Sequence, residues 1–276
     1  MLFEEKIERY SKFEKPKIAV GIFEIDEEVL RSIDSAKRYA DILVVGPPNV
    51  GDVRGGFNVL ISKNPEHKLA EILAKDEVEG IVRGTIDDLK TYKLYSEMTG
   101  EDYSAAPGLI EDPDNRQFFL SPLSNSEGWV RRERYNIASN VACFVKKWNV
   151  DPRIAVFEGV RKNTYIRKKG KSKGVEGKLN KTFESAEWIV EKLTTEGYHA
   201  KNWTIDLNVA IDRGYNVIVP VNGMVGNQIF RTALFCGGRV LAVPRLGLSS
   251  YYEDNSRTEK DFESHIQWLS ALINKP

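Results

Sequence analysis

The sequence predicts an α/β fold on a mainly parallel sheet, and two observations carry that prediction. Short apolar runs bounded by Gly, Pro or Asn alternate with stretches of helical period, the pattern of strand–helix crossover units. Near the C-terminus, Val217, Ile218 and Val219 read as a buried strand. They lead straight into Asn222-Gly223-Met224-Val225-Gly226-Asn227-Gln228-Ile229-Phe230-Arg231-Thr232, where Ile229, Phe230, Ala233 and Leu234 recur at helical spacing before Gly237-Gly238. A strand, a tight glycine turn and a helix in that order aim the helix's free N–H groups at the strand's carboxyl end, which favours an anion. Asn222, Gly223, Gly226 and Asn227 are the candidate ligand contacts, because glycine lets backbone approach a ligand closely. The competing reading is a strand–helix turn with no ligand, and the stretch alone does not choose.

Taken in order, residues 1–15 form a short amphipathic helix, with Leu2, Phe3, Ile7, Tyr10 and Phe13 as its stripe. Residues 17–23 are a strand. Asp26 caps the next helix, with Glu27 and Glu28 in its first turn, where negative charge suits the dipole. Strands follow at 41–46 and 58–62, then a helix opened by Asn64-Pro65 with proline in its first turn. Residues 80–83 are a fourth strand, followed by a helix from Asp87 to about Met98. Arg83 ends that strand ahead of Gly84-Thr85, and in open α/β sheets ligands bind outside the carboxyl ends of strands. A guanidinium there can clamp phosphate or carboxylate, or else pair with an acid such as Asp87 or Asp88.

The pattern then changes. Residues 107–112 and 116–123 read as a hairpin around Asp112-Pro113-Asp114-Asn115, which is strong turn chemistry. A long helix over 130–148 and a strand over 153–158 follow. Residues 159–178 hold Arg161, Lys162, Arg167, Lys168, Lys169, Lys171, Lys173 and Lys178 against one acid, Glu176, with three glycines between, and so read as a flexible basic loop. This loop is a solvated surface segment, a lid for a polyanionic ligand, or a contact for RNA. Arg161, just past a strand's carboxyl end, is its best site candidate. A helix (183–196), a strand (198–205), a short helix capped by Asp206, the organising turn, a strand (239–244) and a last helix (261–274) complete the chain.

Composition narrows the class. With 276 residues the chain is long enough for one large domain or two small ones. A formal net charge of +0 removes any global pull toward nucleic acid or anionic membrane, and no apolar run is long enough to span a bilayer. Cys143 and Cys236 lie in apolar helical runs, so they read as reduced core thiols of a cytoplasmic protein. With His67, His199 and His265 scattered, no metal-ligand spacing exists, and no metal is expected. No serine nucleophile signature, dinucleotide glycine loop or Walker lysine is present.

Gly226-Asn227, the helix, Gly237-Gly238, a strand, Gly247-Leu248 and Asn255-Ser256-Arg257 run in the order seen at the end of phosphate acetyl/butyryltransferases. With Val82-Arg83-Gly84-Thr85 and the 107–123 segment, the chain most resembles a shorter relative of that superfamily, the methanogenesis marker protein 4 family, also called Mtx subunit X. The resemblance covers most of the chain and is most specific in its last third. It implies two α/β/α domains flanking a cleft, an isocitrate/isopropylmalate dehydrogenase-like arrangement: residues 1–118 with 244–276, and residues 119–243. It implies that Ser256 and Arg257 bind the phosphoryl and carbonyl region of an acyl phosphate. It also implies that an acid a few residues on, Asp261 or Glu263, acts as base toward a coenzyme A-type thiol. Arg83, Gly84 and Thr85 join the phosphate-binding set. The chain departs from the acyltransferase pattern at Thr258, where those enzymes have glycine, and after Gly84, where it offers Thr85, Lys90 and Lys93. The expectation is a transferase acting on a phosphorylated small molecule. A methyltransferase or methyltransferase subunit of methanogenesis is the alternative, and a non-catalytic assembly or ligand-sensing protein the third. A homodimer is expected by analogy.

Overall fold

The structure is a computed structural model and describes residues 3–51, 56–168, 173–256 and 259–276. The chain forms two compact units, Phe3–Tyr103 with Leu241–Pro276, and Ser104–Val240. No helix among the described residues is long and apolar enough to cross a membrane.

In the first unit the elements are α1 (Glu4–Tyr10), β1 (Lys17–Gly21), α2 (Glu27–Ala36), β2 (Asp41–Gly46), β3 (Asn58–Ile61), α3 (Pro65–Ala74), β4 (Gly80–Val82) and α4 (Asp88–Thr99). The returning chain adds β10 (Arg239–Pro244), β11 (Tyr251–Asp254) and α10 (Phe262–Ile273). The strand order is β3-β2-β1-β4-β11-β10, parallel except that β10 runs against β11. Both faces are covered, as a parallel sheet requires. On β1, Ile18 and Val20 face a cluster with Val29, Ile33, Phe262 and Ile266, while Ala19 faces Leu69, Ile72, Ile81 and Tyr252. Asp26 caps α2 as expected, accepting from the amides of Glu28 and Val29.

The second unit holds β5 (Gly108–Glu111), β6 (Gln117–Leu120), α5 (Arg131–Lys147), β7 (Arg153–Phe157), α6 (Lys162–Lys168), α7 (Gly174–Thr195), β8 (His199–Thr204), α8 (Leu207–Asp212), β9 (Val217–Val219) and α9 (Gly223–Phe235). Its strand order is β5-β6-β9-β7-β8, with β5 and β6 forming the expected antiparallel hairpin and the other pairings parallel. The hairpin lies wholly in this unit, because β6 is hydrogen-bonded to β9.

Three local readings differ from the sequence expectation. The basic segment is largely helical, as α6 and the start of α7, because Val160, Tyr165, Leu179 and Phe183 supply an apolar cluster of their own, with the Tyr165 and Phe183 rings stacked at 4.2 Å. Lys169, Gly170 and Lys171 lie outside the described residues. The strand β11 was not foreseen. Both cysteines are exposed rather than core thiols: Cys143 sits on the outer face of α5, and Cys236 caps the end of α9.

Candidate functional site

Parallel pairing places Glu253 of β11 opposite Val82 of β4, so residues 83–85 and 254–256 leave the sheet at the same edge. Asn255 ties them together. Its Oδ1 accepts from the Gly84 amide at 2.9 Å, and its Nδ2 donates to the Ser256 carbonyl at 3.1 Å. The Glu259 amide donates to the same carbonyl at 2.9 Å. Ser256 is buried. Gly84 sits at φ +72°, and a Cβ there would lie 1.8 Å from the Gly21 carbonyl oxygen, so only glycine fits. Thr85 pins the same loop to the end of β1: its amide donates to Gly21, and its Oγ1 accepts from the Phe23 amide at 2.8 Å. Two motifs more than 170 residues apart thus become one edge. Arg257 and Thr258, the centre of the sequence-level site, lie outside the described residues.

Arg83 is engaged by its own chain. Its Nε donates to Asp254 at 2.9 Å, Nη1 to the carbonyls of Gly84 (2.9 Å) and Ile86 (3.3 Å), and Nη2 to the Asn255 carbonyl, with Asp254 also at ion-pair distance from Nη2, 2.8 Å. Those contacts engage all three guanidinium nitrogens and stitch the two segments together. The carboxylate paired with Arg83 is Asp254 instead of Asp87 or Asp88, because β11 brings Asp254 beside β4. Asp261 is likewise engaged, as the N-cap of α10. Its two oxygens accept from the Ser264 amide (3.0 Å) and hydroxyl (2.6 Å). Glu263 pairs with Arg38.

Beneath this edge lies a buried polar layer that the sequence reading missed. Arg245 is buried against Asp88, with Asp254 at 3.7 Å and the rings of Tyr92, Tyr103 and Tyr252 at 4.4, 4.6 and 5.1 Å. Burial raises the Asp88 carboxyl, and the Asp254 charge adds to that. Burial lowers Arg245, yet Asp88 and Asp254 hold it above its usual value. Fully buried Glu253 meets His265 Nδ1 at 2.8 Å. Burial pushes Glu253 up to about 7 against the opposing pull of the His265 bond, while that bond raises His265 against the effect of burial. Burial also raises Glu259. A lone histidine gives no sequence signal, and this one was read as scattered.

In the second unit, the organising stretch is engaged by its own chain. The helix α9 begins at Gly223, so the glycine turn is its first turn, and Asn222 is the N-cap, accepting from the Val225 amide at 3.0 Å. The Gly223 amide donates to the Glu127 carbonyl at 2.8 Å. A Cβ on Gly223 would lie 1.6 Å from the Ser124 carbonyl oxygen, and one on Gly226 1.9 Å from that of Pro122. Asn227 Nδ2 donates to Leu123 at 3.3 Å. The glycines thus admit the 122–127 backbone close to this turn. Arg161 makes an exposed pair with Asp206 at 3.0 Å, which takes the Asp206 side chain away from capping α8.

No family model matches the chain. It is 27% identical over 277 residues to "Putative methyltransferase mtx subunit X" of Methanosarcina mazei, covering 98% of this chain and 96% of that protein. It is 29% identical over 272 residues to the protein of the same name from Methanosarcina acetivorans, covering 97% and 94%. The chain is a homologue of the mtx subunit X proteins. The resemblance read from its motifs holds over nearly the full length. Among solved structures it is similar to a phosphotransacetylase from Streptococcus pyogenes (TM-score 0.67, 14% identity, 99% of this chain and 97% of that one). It is also similar to 4-hydroxythreonine-4-phosphate dehydrogenase from Klebsiella pneumoniae (TM-score 0.54, 13% identity, 94% and 100%). These likenesses establish a phosphotransacetylase-like α/β fold, and that fold carries more than one chemistry.

Proposed function

We propose that this mtx subunit X homologue is a transferase that binds a phosphate-containing small molecule at the strand edge where Gly84-Thr85 meets Asn255-Ser256. The observation that carries the reading is the Asn255 bridge, a buried side chain joining two segments at the carboxyl ends of parallel strands, where α/β sheets take ligands. Ser256 and its neighbour Arg257 are the donors for the phosphoryl oxygens. Asp261 is occupied as a cap, so Glu259 is the better base toward a coenzyme A-type thiol. Its amide is anchored on Ser256, and burial raises its carboxyl toward the range a base needs. Methyl transfer is the second reading, favoured by the name the homologues bear. In that reading the same edge holds the anionic group of a methyl carrier, the carboxylate of S-adenosylmethionine or the phosphate of a corrinoid.

The test is calorimetric titration of wild type and Arg257→Ala with acetyl phosphate, coenzyme A, S-adenosylmethionine and a corrinoid, followed by an acyl-exchange assay. Binding of acetyl phosphate or coenzyme A that is lost in Arg257→Ala, with exchange, supports acyl transfer. Binding of a methyl carrier alone moves the assignment to methyl transfer, and no binding by any of the four refutes the proposal.

A further inference from the structure

The second unit contains a buried cation that the reading above leaves unused. Arg134, in the first turn of α5, is 2% exposed. Its single hydrogen bond among the described residues runs from Nη2 to the Phe157 carbonyl at 3.0 Å, and Nε has no partner. No carboxylate lies within ion-pair distance of it among the described residues. A guanidinium out of water is normally matched by a carboxylate or by several acceptors. Burial lowers Arg134 only to about 10, so it stays charged at neutral pH.

The neighbouring acid does not balance it. Glu158, directly after β7, is 3% exposed, and burial pushes it up to about 8, so it keeps its proton at neutral pH. Its Oε1 accepts from Asn202, and its Oε2 is buried with no partner among the described residues. Ser121, directly after β6, has a buried Oγ that likewise has no partner among them. The strand order β6-β9-β7 sets these two residues on either side of the exit from β9, which leads into α9. A Cβ on Gly128 would lie 3.1 Å from Arg134 Cγ and 3.3 Å from Asn222 Cα, so the arginine stem and the N-cap of α9 flank one residue. The positive end of a thirteen-residue helix therefore adds to the potential there.

An unneutralised guanidinium, a helix N-terminus and buried donors without acceptors have one common complement. We propose that the carboxyl edge of the second unit's sheet, at Arg134, Glu158 and the start of α9, is a binding site for a small oxyanion, the phosphate or carboxylate group of a metabolite. Arg134 Nε–H and the Oε2–H of neutral Glu158 are its donors. The site is built from the second unit alone, and its assignment does not depend on that of the Gly84/Ser256 edge.

The experiment uses the full chain carrying Ser256→Ala and Arg257→Ala, so that the first edge is disabled. Inorganic phosphate and acetate are titrated into it by calorimetry at pH 7, up to about 10 mM. Binding of at least one anion, weakened tenfold or more by Arg134→Gln and held within about threefold by Glu158→Gln, which keeps a donor, is the expected result. The stronger of the two anions identifies the class. Should Arg134→Gln fail to fold by circular dichroism, Glu158→Leu takes its place, with the same tenfold loss expected. Failure of both anions to bind, or equal affinity with and without Arg134, overturns the proposal whatever becomes of the Ser256 edge.

Discussion

Alanine at Gly223 separates a glycine kept for the fold from one kept for a ligand. The new Cβ would sit 1.6 Å from the Ser124 carbonyl oxygen and 2.6 Å from its carbon, both backbone atoms that no rotamer change can remove. Ordinary contact needs about 3.5 Å, so the 122–127 segment must withdraw by roughly 2 Å. That withdrawal breaks the 2.8 Å bond from the Gly223 amide to the Glu127 carbonyl, a net loss of about 1 kcal/mol. Overpacking adds about 1–3 kcal/mol. Alanine's better helix propensity returns at most about 1 kcal/mol. The balance is a destabilisation of about 1–4 kcal/mol, which for a chain of this size lowers the melting temperature by roughly 2–4 °C per kcal/mol. Circular dichroism melts in phosphate-free buffer give the reading. A variant that melts like wild type would refute the reasoning and leave Gly223 to be explained by a ligand. Gly226→Ala, whose Cβ would lie 1.9 Å from the Pro122 carbonyl oxygen, should behave alike.

Four other perturbations test the buried polar groups. Glu158 titrates near 8 in the fold against 4.5 unfolded, so its contribution is complete below about 4.5 and fades as pH rises through 8. At about 1.4 kcal/mol per unit and half-titration at pH 8, wild type loses roughly 2.3 kcal/mol from this group between pH 6 and 8, and Glu158→Gln should flatten the melting-temperature slope over that range. An unchanged slope rejects the assignment. Arg245→Ala strands Asp88 and Asp254 without their cation and empties the ring of three tyrosines, a cost of about 3–5 kcal/mol that chemical denaturation would register. Asn255→Ala unties Gly84 from Ser256 at about 1–3 kcal/mol, and should weaken acetyl phosphate binding more than Arg245→Ala does. Asp261→Ala should cost about 1 kcal/mol as a lost cap while sparing exchange, and loss of exchange at full stability would return Asp261 to the role of base.

What the sequence made legible, and what it hid, divides along one physical line. In several places where neighbours in the chain decide the outcome, the reading holds. The Val217–Val219 strand, the Asp26 cap and the hairpin around Asp112 follow from period, capping chemistry and turn chemistry within a few residues. The engagements of Arg83, Gly223 and Gly226 that the sequence does not show come from partners supplied from far away. Arg83 carries the pattern of a phosphate clamp, but its carboxylate is Asp254, 171 residues on, and β11 is too short and too polar to announce itself. Gly223 and Gly226 carry the pattern of a ligand turn, and what approaches them is a backbone segment about a hundred residues earlier. A glycine requirement tells us that something comes close, never what it is. The same holds for an arginine at a strand end, which must find acceptors without the sequence saying whose. Arg134 inverts the case. It reads as one of many cations at the start of a long helix, yet the fold buries it and gives it a single acceptor among the described residues. The sequence therefore drew attention to residues whose demands the protein already meets, and passed over one whose demand is still open. An open demand in a buried site is the stronger physical reason to look for a ligand, because water is kept out and the protein offers no substitute.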